Sequence, residues 1–202
     1  MRENKATKKR RVLPANERKE MILDAALEIF SRHGYERSDV DAIARQAGIG
    51  KGTIYRHFPS KQKLFLALVD RGYELLKERM KLVPRLRDSL QQAFRRGMES
   101  HANFFIENPK YYRVMMLELP DYRLRIGGDI MRRHQRYIQP LVKGIKTRIK
   151  NGQIEKIDPE FAAFVLAAMS CIVVERHLRC KGDTRRKDIK TAVDLFLRGV
   201  MK

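Results

Sequence analysis

Apolar residues recur along this chain at helical spacing and rarely alternate as a strand would. Between Glu17 and His33, Ile22, Ala25, Ala26, Ile29 and Phe30 fall at i, i+3, i+4, i+7 and i+8, one face of a helix. Gly34 follows where a left-handed residue commonly ends a helix. Ser38 precedes Asp41 by three, a spacing resembling a capping box with Asp in place of Glu. Val40, Ile43, Ala44 and Ala47 predict a short second helix stopped by Gly48, and a third runs from about Lys51 to His57 with Ile54 inward. Ser60 can cap a fourth, burying Leu64, Phe65, Leu68, Val69, Leu75 and Leu76 and ending near Pro84.

Further helices are predicted at about 86–107, 110–119 and 122–150, broken by Asn108-Pro109, Pro120 and Gly152. Asp158-Pro159-Glu160 combines a cap, a proline at the first helical position and an acid that the helix dipole favours. Phe161, Phe164, Val165, Ala168, Met169, Ile172 and Val173 continue that helix. A last one carries Ile189, Ala192, Val193, Phe196, Leu197 and Val200. The expectation is an all-α protein of about nine helices without internal repeats.

The segment VDAIARQAGIGKGTIYRH, Val40 to His57, holds two helices across a very short turn. Ala44 supplies a small side chain where they cross, and Gly48 a positive φ that a residue with a Cβ adopts only under strain. Ile43, Ala47, Ile49 and Ile54 form the apolar seam of a helix-turn-helix. The outward residues Lys51, Thr53, Tyr55, Arg56 and His57 can each donate to phosphate oxygens, and Lys51 or Arg56 can read guanine edges. Gly50 and Gly52 allow close approach to a DNA backbone. The competing reading is a short basic surface helix with a half-buried tyrosine.

Charge sharpens this picture. The 202 residues include 44 Lys and Arg against 24 Asp and Glu, a formal net of +20, which points to a polyanionic partner. Residues 1–63 hold 15 basic and 8 acidic residues, a net of +7; the remainder carries +13. Lys5, Lys8, Lys9, Arg10 and Arg11 form a dense block in 1–14, either a solubilising tail or a DNA-contacting arm. At 43% hydrophobic residues the chain can build a core. No apolar run approaches the ~20 residues of a membrane span, and no secretory signal is evident, so a cytoplasmic protein is expected. Two cysteines make no disulfide framework, and at nine residues apart Cys171 and Cys180 point to opposite faces of one helix. No catalytic motif, metal-ligand spacing or cofactor signature stands out, so neither an enzyme nor a cofactor is expected.

Residues 34–65 closely resemble the DNA-binding signature of TetR/AcrR-type transcriptional regulators. The matching runs are Ala47-Gly48-Ile49, Gly52-Thr53-Ile54-Tyr55, His57-Phe58, Ser60-Lys61 and Leu64. The resemblance implies phosphate contacts from Ser38, His57 and Lys61, backbone or base contacts from Thr53 and Tyr55, and a core role for Phe58. Gly50 stands where the family usually has Ser or Thr, and Asp39 is acidic near the expected DNA surface, either capping or repelling. The implied organisation is a basic arm (1–14), a helix-turn-helix domain (15–61) and a ligand-binding and dimerisation domain (62–202). Such a protein would bind a palindromic operator as a homodimer, most simply as a repressor released by a small-molecule effector. A sequence-indifferent architectural DNA binder is the alternative.

In the family the last two helices pair with a second copy, which here nominates Phe164, Ala168, Cys171, Val193, Phe196, Leu197 and Val200, or else these are intramolecular core. Aromatic residues and methionines crowd the middle helices. The resemblance implies an effector site there, for which Phe94, His101, Phe105, Tyr112, Arg113, Met116 and Tyr137 are the candidates; Glu118 is a further polar one, and Met131 and Tyr122 belong to the same apolar group. Arg123, Arg125, Arg132, Arg133 and Arg136 suggest either an anionic effector or a solvated helix face.

Overall fold

The computed structural model describes residues 14–81, 88–118, 128–180 and 182–200. Among these, every regular element is helical. In chain order they are α1 (Ala15–His33), α2 (Val40–Ala47), α3 (Lys51–His57), α4 (Lys61–Lys81), α5 (Leu90–Glu107), α6 (Pro109–Tyr112), α7 (Gly128–Lys150), α8 (Pro159–Arg179) and α9 (Arg185–Val200). α6 runs on as a π-helical turn over Arg113–Glu118. The expected all-α order is therefore present. The basic block Lys5 to Arg11, Pro84, Pro120, Tyr122, Arg123 and Arg125 lie outside the described residues, as do the side chains of Glu118 and Met131.

The helix boundaries follow local chemistry. Gly34 closes α1 at φ 78°, and Gly48 closes α2 in the left-handed region at φ 65°, ψ 28°. Ser60 Oγ accepts the Lys63 amide at 3.1 Å at the start of α4. Ser89 and Gln92 form a full capping box on α5. Asp158 caps α8 through Glu160 N and Phe161 N, with Pro159 at the first helical position. One expected cap moves. Asp39, not Ser38, caps α2, its Oδ1 accepting the Ala42 amide at 2.5 Å. Asp39 is thus a capping residue in this fold.

α4 belongs to two packing environments. It contacts α1 as well as α5 and α7. It buries Leu64, Phe65, Leu66, Leu68, Val69, Tyr73 and Leu76. Leu75, expected inside, is exposed; a helix turns about 100° per residue, which carries it off the face that Leu76 occupies. Phe30, Tyr35 and Phe65 interlock at ring separations of 4.9–5.8 Å and tie the start of α4 to the end of α1. Further along, Arg71 bonds Asp24 at 2.7 Å and Glu20 at 3.0 Å, and Lys110 pairs with Glu28, so α1 is also held by α4 and α6. Gly72 allows α6 to lie close against α4: a Cβ there would come within 2.5 Å of Met115 Sδ and 2.9 Å of the Tyr111 ring.

α5, α7, α8 and α9 complete the second layer. α8 corrects one expectation, because by length and composition it is apolar enough to cross a membrane. In this fold Ala162, Ala163, Leu166, Ser170, Val173 and Val174 face inward, while Phe161 and Ile172 stand outside at 69% and 62% exposure.

Candidate nucleic-acid interface and effector cavity

The helix-turn-helix seam is built as its residues dictate. Val40, Ile43, Ala44, Ile54 and Phe58 are buried, with Ala47 and Ile49 packed partly against them. Gly48 N and Ile49 N donate to Arg45 O and Ala44 O, both at 3.1 Å, which closes the turn. Gly50 caps α3 without a side-chain bond. Lys51, Gly52, Tyr55 and Arg56 are exposed along α3, and Thr53 and His57 are half-buried. Arg56 Nη2 donates to Thr53 Oγ1 at 3.5 Å, and the His57 ring stands beside Phe58.

Three site residues have partners that the sequence did not disclose. Lys51 Nζ donates to Asp41 Oδ2 at 2.7 Å, a bond that holds the ammonium pKa above its ordinary value. Ser38 is buried and its hydroxyl donates to Gly34 O at 2.5 Å and Ile29 O at 3.4 Å. That hydroxyl is a tie within the α1–α2 loop, which corrects its assignment as a phosphate ligand. Lys61 Nζ donates to Ser38 O at 2.7 Å and Glu36 O at 3.3 Å and sits 4.4 Å from the Tyr35 ring centre. Lys61 therefore clamps the loop carbonyls, leaving one N–H of its ammonium for an outside acceptor.

In the second layer a cavity of about 410 Å³ opens between α4, α5, α7 and α8. Of the expected effector residues, Phe94, His101 and Tyr137 line it. Phe105 and Tyr112 are buried core instead, Arg113 is exposed, and Met116 accepts the Cys171 thiol at 3.5 Å. None of these four lines the cavity, because neighbouring positions on α5 and α6 point to different sides. His101 is buried and shares a 2.8 Å hydrogen bond with Ser170 Oγ; burial pushes its pKa down to about 4, so the ring is neutral at pH 7. Ser170 escaped the sequence reading. Its signal was a lone hydroxyl in the apolar run of α8. In the arginine-rich stretch, Arg133 is bonded to Asp70 at 2.6 Å.

The residues nominated for a dimer seam, or else for intramolecular core, divide between the two. Val193, Phe196, Leu197 and Val200 are buried in the chain's own core. Phe164 is half-buried and stacks on His134 at 5.2 Å, and Cys171 is half-buried. Ala168 is exposed. The outward apolar residues of α8 and α9 include Phe161, Ala168, Ile172, Leu178 and Leu195. Both cysteines are free.

These elements define a helix-turn-helix protein with a separate helical layer carrying a cavity. Residues 22–68 match the profile described as bacterial regulatory proteins, tetR family. The uncharacterized HTH-type transcriptional regulator YhgD of Bacillus subtilis (strain 168) is 29% identical over 160 residues, covering 74% of this chain and 78% of the relative. The HTH-type transcriptional repressor KstR of Rhodococcus jostii (strain RHA1) is 41% identical over 68 residues, 34% of this chain and 32% of KstR. A TetR family transcription regulator from Marinobacter aquaeolei VT8 superposes with a TM-score of 0.78 at 19% identity, covering 93% of this chain and 97% of that one. The tetR-family match thus falls on the helix-turn-helix segment, and the fold as a whole is similar to that of TetR-type regulators.

Proposed function

We propose that this regulator binds a palindromic operator as a homodimer, represses transcription from it, and is released by a small molecule held in its helical layer. The division of labour is a basic arm over 1–14, a DNA-binding domain over 15–61 and an effector and dimerisation domain over 62–202. The observation that carries the reading is the exposed row Lys51, Gly52, Tyr55 and Arg56 on a helix whose other face is fixed by Ile54. Phosphate oxygens take the basic donors, and Tyr55 and Thr53 meet the backbone and base edges. His57 stands at the end of the same helix, and the spare N–H of Lys61 reaches the phosphate beside it.

One such helix covers few base pairs, so two must act about one DNA turn apart, ~34–36 Å. The unpartnered residues Phe161, Ala168, Ile172 and Leu195 favour pairing of α8 and α9 with a second copy. Among the relatives KstR is a named repressor and FasR of Mycolicibacterium smegmatis a named activator; repression follows most simply from a dimer that occupies the operator. Effector binding releases the operator if it favours a conformer whose recognition helices no longer match successive major grooves. Footprinting of the full chain on genomic fragments tests the reading: a protected palindrome is expected, and uniform coverage at all sequences would establish the architectural alternative.

A further inference from the structure

The cavity between α4, α5, α7 and α8 is walled mainly by apolar groups: Met80, Phe94, Met98, Ile138, Leu141 and Leu166 contribute. At ~30 Å³ for each small group, 410 Å³ admits at least about a dozen heavy atoms. Within this wall stand the hydrogen-bonded side chains of His101 and Ser170, both buried, at 7% and 2% exposure. The basic side chains of the lining, Lys77 and Lys81, are exposed and bonded to Glu74 and Glu78 on their own helix. They mark the mouth, where water reaches. The interior thus offers the His101–Ser170 hydrogen-bonding pair, with Tyr137 the other polar-tipped residue of the lining, and no charge to balance an ion, so a charged group moved there loses its hydration without compensation.

We propose that the effector is an uncharged, mainly apolar small molecule of about a dozen or more heavy atoms bearing one hydroxyl or carbonyl oxygen, bound with that oxygen against His101 and Ser170. This rests on the reading of the chain as an effector-released regulator. The oxygen joins the pair that links α5 to α8, so its arrival is felt on the helix whose other side carries Ala168 and Ile172. A site built around a hydrogen-bonding pair favours the ligand that satisfies it over the hydrocarbon of the same shape.

Gly97 provides a clean block. It lines the cavity from within α5, and a Cβ added there meets nothing within 4 Å. Gly97→Leu fills the space while replacing glycine by a better helix former.

The test is isothermal titration of the full-length chain with naphthalene, 2-naphthol and 2-naphthoate at pH 7. The expected order is 2-naphthol about tenfold tighter than naphthalene, the size of one net hydrogen bond, with 2-naphthoate weakest. Gly97→Leu abolishes binding of all three without lowering the melting temperature. Ser170→Ala narrows the preference for 2-naphthol and leaves naphthalene binding; His101→Phe, if it folds, does the same. Equal or tighter binding of 2-naphthoate, lost in Lys77→Ala or Lys81→Ala, overturns the proposal in favour of an anion at the mouth. Failure of every probe to bind overturns it as well. Footprinting in parallel separates the two readings: a protected operator with no probe binding leaves the regulator standing and removes this ligand class, whereas no protected operator counts against the regulator whatever binds in the cavity.

Discussion

Lys51 Nζ stands 2.7 Å from Asp41 Oδ2, joining the outward side of α3 to α2 before it. Both side chains are about half exposed, at 45% and 48%, so the pair is weak in water and its partner exchangeable. In the proposed operator complex a DNA phosphate competes with Asp41 for this ammonium. Asp41→Asn removes the competitor and should tighten operator binding by roughly two- to fivefold, the worth of an exposed ion pair. Lys51→Ala should weaken it and lower the slope of log K against log salt by about one. Fluorescence anisotropy titrations across a salt series read both; unchanged affinity in the two variants removes Lys51 from the interface.

Tyr55 and Lys61 separate contact from support. Tyr55 is 41% exposed and outside the buried core, so Tyr55→Ala should change the melting temperature little and weaken operator binding roughly tenfold. Lys61→Ala removes the clamp on Ser38 O and Glu36 O. It should cost about 1 kcal/mol, a fall of roughly 2–4 °C in Tm, as well as DNA affinity. Thermal melts beside gel shifts distinguish the two patterns.

In the proposed homodimer the outward face of α8 and α9 forms the interface. A charge placed in an apolar interface core is unpaired and desolvated. Ile172→Asp and Leu195→Asp should each convert a dimer to a 23.7 kDa monomer in sedimentation at micromolar protein, without loss of helicity. Val193→Asp, at a buried position, should unfold the chain instead. A wild-type chain already monomeric at that concentration would end the proposal of a dimeric repressor.

His101 makes stability depend on pH. Its folded pKa, about 4, lies below the ordinary 6.5, so between these values the unfolded chain binds more protons than the folded one. Stability from this group is complete above about pH 6.5 and is lost as pH falls toward 4, by an amount on the order of a few kcal/mol. Melting temperatures at pH 7.5, 6 and 5 should fall more steeply for the wild type than for His101→Gln. Parallel slopes would show that this histidine does not carry the effect.

The helix-turn-helix was readable because its constraints are local. Ala44, Gly48 and Ile54 each answer a demand that few residues meet at that point in the turn. Ser38 and Asp39 were not separable, since both are good caps and adjacent; only the position of the α1–α2 loop sends one hydroxyl inward and leaves one carboxylate at the helix end. The outer face of α8 was hidden for a different reason. Phe161, Leu166, Ile172 and Val173 give a helix apolar nearly all round, and periodicity cannot say which side meets the core. In α9 the resemblance left Val193, Phe196 and Leu197 open between a dimer seam and the chain's own core; they lie in the core, and Leu195 stands outside. Lys51, Lys61 and Ser38 were legible as residue types, but their partners come from other helices and loops, which one-dimensional spacing does not reveal.

α4 begins at Lys61, on the loop that precedes the recognition unit, and ends at Lys81, on the rim of the cavity. Its 21 residues make a rod of roughly 30 Å without a proline to bend it. Such a rod acts as a lever. Pivoted at its middle, a tilt of about 10° displaces each end by roughly 3 Å, comparable to the rise between neighbouring base pairs. A single stiff element thus spans from the cavity to the helix-turn-helix, and in the proposed regulator a small adjustment of side chains at one end becomes a misfit of register on the operator at the other.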